Sequence, residues 1–542
     1  MMLSLTAVFS YGFLVTHQTV GIDDTPYAYY FRDGLVAIVG RWVLFLLNKI
    51  FHIADFAPFI TDLAGVLILM TAVTVWCTLL YTILKRQAPM WGYLFFSCIF
   101  LSCPLISEVY TYYLHNGVSI GYLCVGLSLC FYRELLEGLK SGKRILLAGL
   151  GTVLFLWIAL GCYESFMIVW LLGVFLILLS ERYGEIRRNV LPALCVAAAA
   201  AAAAMVLRSV MIEMVIGICG LGEMRGEAVQ RSVGEMISWM LEPNAAAEFA
   251  MVLKRIFVMY GVFAYAYYPI RIFLLAAAAM LLSGLCQTVC RRDVWCLLLT
   301  LGSFFASFIL IFIEGSATLY RSAQFLPVIC GYGVFLTSCW VEKARKFCEK
   351  RTDRRGIVRL FGRTCSLATV FVLCAILWNQ CFDMNRWFYI DWMKYESART
   401  LAGEIAHRLK ENFDSSKPVM FTGTYQAPRS IIGEAYVSYG SETFYKMNRI
   451  TGAVDEHLLE KFYRDYGVWV AQTPALSVID WGRYAFGDDS ELIRFFAMHG
   501  YELRALTDDS LYQDAEIYSL TLPSFPAEGS VVDMGEYIIV HF

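Results

Sequence analysis

Apolar runs of about 20 residues, the length that crosses a bilayer, recur along most of this chain and leave little room for any other solvent. Eleven are read at 3–20, 60–84, 89–103, 117–132, 145–161, 165–181, 190–215, 270–290, 294–313, 323–341 and 364–380. Within lipid every backbone N–H and C=O must be satisfied inside its own segment, so runs of this kind are helices. Hydrophobic residues make up 58% of the chain and charged residues 17%, whereas a soluble domain carries about 25% charged residues. The expected fold class is therefore an α-helical polytopic membrane protein with about eleven transmembrane helices. The stretch 246–290 accommodates either one helix or two. Met1 to Val20 is apolar with no Lys or Arg ahead of it, and reads as a retained first span rather than a cleaved signal.

Basic residues alternate between connections. Lys85 and Arg86, then Arg133, Lys140, Lys143 and Arg144, then Arg182, Arg187 and Arg188, then Arg291 and Arg292, fall on one side with the Lys343–Arg363 stretch. Segments 104–116 and 162–164 on the other side hold none. Cytoplasmic loops carry the Lys/Arg excess, which puts the N-terminus inside and everything after 381 outside, as in a multi-pass protein of a cell membrane. Two long loops, 21–59 and 216–269, also fall outside. The run Ala197–Ala204 reads as a helix packed closely on its neighbours.

Composition changes near 382. From there on, 24 acidic residues face 14 basic ones, a balance of −10 against +8 for the rest, and all 17 cysteines lie at or before Cys381. Two regions are expected: 1–381 in the membrane and 382–542 as a small extracytoplasmic α/β domain. In the tail, Leu401, Ile405 and Leu409 share one helical face. VMFTG reads as a strand, DDSELIRFFAMHG as a helix with start and stop signals, and GEYIIVHF as a closing strand.

Carboxylates gather at the expected outer ends of spans. Asp23 and Asp24 follow the first span, in a loop rich in tyrosine. Glu108, Tyr112, His115 and Asn116 sit in PLISEVYTYYLHNG, Tyr163 and Glu164 in GCYESF, and Glu314 in IEGSATLYRSAQF. Ionisable groups at membrane depth are costly and tend to line cavities or pathways. Paired acids also occur as plain solvated dipeptides, as in Asp488–Asp489 and Asp508–Asp509. Arg41 and Arg321 are candidates for holding a phosphate, or for ion pairs with these same carboxylates. Trp387, Tyr425 and Trp481 are either glycan-stacking aromatics or tail core.

No cytoplasmic connection is long enough for a nucleotide-sugar domain, and none carries a phosphate-binding Gly-rich loop. Group transfer must then occur outside, where a lipid-linked donor replaces an activated nucleotide. The basic 342–363 loop reads as a topogenic, lipid-facing segment, not a nucleic-acid site. The pattern requires no metal and no cofactor.

Taken in order, DDT and GRW, LSCPLISEVYTYYL, CYESF, TLYRSAQF and DMNRWFYIDWMKYESARTLAGEIAHRL give the chain a likeness over most of its length. It resembles the Gtr-type (type II) serotype-converting glucosyltransferases, membrane enzymes of the GT-C class. That resemblance implies undecaprenyl-phosphate-glucose as donor, a surface glycan as acceptor, and an essential carboxylate in the first outside loop, at Asp23 or Asp24. Under this reading Asp23 and Asp24 orient and deprotonate the acceptor, while Arg41, Arg321 and His115 stabilise the leaving phosphate. Glu108, Tyr112, Tyr163, Glu164 and Glu314 contact sugar and acceptor. Inverting and retaining transfer both fit. The rival is a transporter or flippase for a lipid-linked saccharide, and the chain has neither internal repeats nor the broken mid-membrane helices typical of that class.

Overall fold

The computed structural model describes residues 1–21, 33–52, 57–85, 88–110, 116–137, 142–221, 238–243, 245–256, 272–314, 322–350, 356–423, 425, 479 and 489–542. Helices α1 (Met2–Thr16), α2 (Asp33–Ile38) and α3 (Trp42–Phe51) come first. They are followed by α4 (Pro58–Leu84), α5 (Met90–Leu101), α6 (Leu105–Tyr110), α7 (Asn116–Leu136), α8 (Gly142–Cys162), α9 (Phe166–Tyr183) and α10 (Val190–Ile218). After α11 (Ala245–Ile256) come α12 (Phe273–Arg291), α13 (Trp295–Ser307), α14 (Ile309–Glu314), α15 (Leu326–Lys350) and α16 (Gly356–Asn412).

Among the described residues, eight helices are long and apolar enough to cross a membrane, and α1, α3 and α13 are shorter apolar helices. Among the described residues of 246–290 lie the helices α11 and α12, and of these α12 has the length and apolarity to cross. α4 illustrates how sequence becomes element. Pro58 stands in its first turn, where a missing N–H costs nothing. Leu69, Ala72, Val73, Trp76, Leu80 and Ile83 recur every three or four residues, and all are buried.

Packing joins distant segments: α4 lies on α7, α5 and α12 on α15, α9 on α13, and α1 on α16. At Gly333 a side chain would run into the Ala276 backbone, so α12 and α15 approach at a distance only glycine allows. The alanine run behaves in the same way. Ala193, Ala197, Ala200 and Ala204 form the buried edge of α10, which packs on α8.

α16 is 57 residues long, about 85 Å at 1.5 Å per residue. It continues without a break past 381 and into the tail. There Leu401, Ile405 and Leu409 are buried with Phe421, Leu492, Phe496 and Val540 in a core separate from that of the bundle. The tail sheet is three-stranded, in the order β1 (Val419–Thr422), β3 (Ile538–His541), β2 (Val531–Asp533). β1 runs parallel to β3, while β2 runs antiparallel to it. All four residues of β1 are buried, the usual state of a strand paired in parallel. Helices α17 (Ser490–Met498) and α18 (Asp509–Ser519) complete the tail among the described residues.

Candidate functional site

The GRW motif lies between α2 and α3. Gly40 adopts φ +86°, and the N–H groups of Gly40 and Arg41 close the end of α2 on Ala37 O and Val36 O at 3.0 and 2.9 Å. This left-handed glycine cap ends α2 and lets α3 leave in a new direction. It has a second role as well. The backbone at Gly40 lies directly on the guanidinium of Arg208, leaving no space for a Cβ. Trp42 then packs into the end of α8, against Gly161, with its indole 4.6 Å from that of Trp157. α3 itself is the amphipathic stretch of the first long loop. Trp42, Val43, Leu44 and Phe45 are buried, while Ile50 and Phe51 are exposed.

These contacts bring GRW onto CYES. Arg41 Cζ stands 4.1 Å over the centre of the Tyr163 ring, a cation–π placement that fixes a guanidinium without neutralising it. The next residue, Glu164, is ion-paired with Arg208 of α10. Arg208 also donates from Nε to Leu160 O at 3.3 Å. The two partners differ in exposure: the Arg208 side chain is 10% exposed and that of Glu164 66%. Ser165 donates to Gln324 Oε1 at 2.8 Å, and Tyr122 donates to Gln324 O at 2.6 Å. This ties the CYES turn to the start of α15. Among the described residues, the shielded donors Trp42 Nε1, Trp157 Nε1 and Gln324 Nε2 have no acceptor, and Asn116 Oδ1 has no donor.

A second polar cluster joins the end of α1 to α16. Thr19 donates to Asp391 Oδ2 at 2.8 Å; Asp391 and Lys394 are both buried. Asp391 lies eleven residues beyond the 364–380 apolar run. About three turns back along α16, Ser102 donates to the buried Gln380 at 3.1 Å.

Of the residues proposed from sequence, Arg41, Tyr163 and Glu164 form one cluster. Asp23, Asp24, Tyr112, His115, Arg321 and Trp481 lie outside the described residues. Glu108 and Glu314 are placed by backbone alone, on α6 and at the end of α14. Trp387 is buried, and Tyr425 packs edge-on against Phe542 at 6.1 Å, so both belong to packing. Arg208, Thr19, Asp391 and Gln324 were missed by the sequence reading. Arg208 did leave a signal, a single Arg within the apolar α10, where an unpaired charge is not tolerated.

The family described as Glucosyl transferase GtrII matches residues 12–338. No curated protein sequence matches the chain. Among solved structures, the crystal structure of ArnT from Cupriavidus metallidurans bound to undecaprenyl phosphate aligns with 81% of this chain and 84% of its own. The identity is 12% and the TM-score 0.36.

Proposed function

This chain belongs to the glucosyl transferase GtrII family, and from that premise we propose that it moves glucose from a polyprenyl-phosphate-linked donor to a hydroxyl of an extracytoplasmic glycan. In this reading about eleven helices cross the bilayer, the tail after 381 faces outward, and the chemistry takes place at the outer ends of the spans. The observation that carries the reading is Arg41: it is held on Tyr163 and makes no ion pair among the described residues, beside a second, buried arginine. A fixed, uncompensated guanidinium at that end of the bundle suits a phosphate leaving group.

In the reaction the acceptor oxygen bonds to the sugar C1 while the bond from C1 to the phosphate oxygen breaks. Polyprenyl phosphate leaves with the bond electrons, and the acceptor proton passes to a base. Asp23 is assigned as that base, with Asp24 orienting the acceptor. The leaving group is a weak base and needs charge stabilisation more than a proton; Arg41, Arg321 and His115 are assigned to it. Glu108, Tyr112 and Glu314 are left for sugar and acceptor hydroxyls, since Tyr163 and Glu164 serve the two arginines.

The assignment is tested by Asp23→Asn and Asp24→Asn, which keep size and remove the basic oxygen. The Asp23 variant should express and fold normally yet lose about 10²–10⁴-fold in turnover, and the Asp24 variant should lose less. Full turnover in the double variant would contradict the assignment.

A further inference from the structure

Resting on the donor reading above, we infer that Glu164 is a displaceable counter-ion, which holds Arg208 while the site is empty and yields it to the phosphate of the lipid carrier. The pair is built asymmetrically. Arg208 is held by Leu160 O and lies directly against the Gly40 backbone, and its own side chain is 10% exposed. Glu164 stands in the short turn between α8 and α9 with its side chain 66% exposed, so it can swing away into solvent. Arg41 lies over the ring of the residue preceding Glu164 and makes no ion pair among the described residues. Two guanidinium groups call for an oxygen-rich anion, and one carboxylate satisfies only part of them.

The reaction gives this exchange a purpose. The donor is a phosphodiester with one negative charge. When C1 leaves, the carrier becomes a phosphate monoester with about −1.5 to −2 charge at pH 7. Attraction to Arg41 and Arg208 therefore rises during the transfer, which favours the transition state but also holds the product. A buried arginine abandoned by its anion is strongly unfavourable. The return of Glu164 to Arg208 removes that penalty and lets polyprenyl phosphate leave.

The test uses the full chain in nanodiscs, with polyprenyl phosphate as inhibitor of glucosyl transfer and as ligand in thermal-shift titrations. Glu164→Gln should lower the inhibition constant on the order of tenfold and lower kcat, with a smaller change in donor KM. The milder Glu164→Asp should move the same constants in the same direction. Glu164→Gln combined with Arg208→Gln should abolish the gain. Inorganic phosphate reproducing the ordering locates the effect in the headgroup alone; phosphatidylglycerol, a diester, should show little of it. Loss of lipid-donor transfer in the wild type would refute the functional reading. Equal polyprenyl phosphate affinity in the wild type and Glu164→Gln would overturn the counter-ion inference, whether or not the wild type turns over.

Discussion

Thr19 and Asp391 stand 372 positions apart in the chain and share a 2.8 Å hydrogen bond, which ties the exit of the first helix to the middle of α16. Four residues after Thr19 comes Asp23, so the bond anchors the start of the segment to which the base is assigned. Replacing Thr19 by Val keeps the shape and removes the donor, leaving a buried carboxyl oxygen short of a partner at a cost of about 1–3 kcal/mol. Thermal unfolding should register that loss, and turnover should fall with expression unchanged. Wild-type turnover and stability in Thr19→Val would contradict an anchoring role.

Gly161 and Gly149 lie on the same helix and should respond oppositely to alanine. A Cβ at 161 meets the Trp42 indole, whereas a Cβ at 149 meets nothing within 4 Å. Gly161→Ala should cost about 1–3 kcal/mol through overpacking and raise donor KM, because it pushes the GRW turn away from Tyr163. Gly149→Ala should be neutral or stabilising by up to about 1 kcal/mol. Unfolding and donor titration on both variants decide the point.

Much of this arrangement was legible from local pattern. α4, α7, α8, α9 and α10 fall on apolar runs read directly from sequence, and GRWVLFLLNKIF shows its amphipathic face in α3. Along the tail, VMFT and IIVH are strands as read, but the parallel pairing of β1 with β3 depends on contacts over more than a hundred residues, which no local pattern encodes. The continuity of α16 was also unread. The composition change near 382 suggested a boundary, although no Gly or Pro interrupts the chain between 363 and 402 and a helix has no local reason to stop there. At the site, the types of Arg41, Tyr163 and Glu164 were visible and their partners were not. Glu164 faces Arg208, and Arg41 faces a ring, because tertiary packing brings α2, α8 and α10 together. Asp391 reads as an ordinary charge just past a span, and only its burial against Thr19 distinguishes it.

Glucosyl transfer from a lipid-linked donor can be measured directly. Purified protein should be incubated with labelled polyprenyl-phosphate-glucose, and separately with labelled UDP-glucose and no lipid carrier, in the presence of an envelope glycan fraction. Label should appear in the glycan, with equimolar free polyprenyl phosphate, from the lipid donor, and neither should appear from the nucleotide sugar. Efficient transfer from UDP-glucose alone, or none from the lipid donor by well-folded protein, would contradict the proposed function.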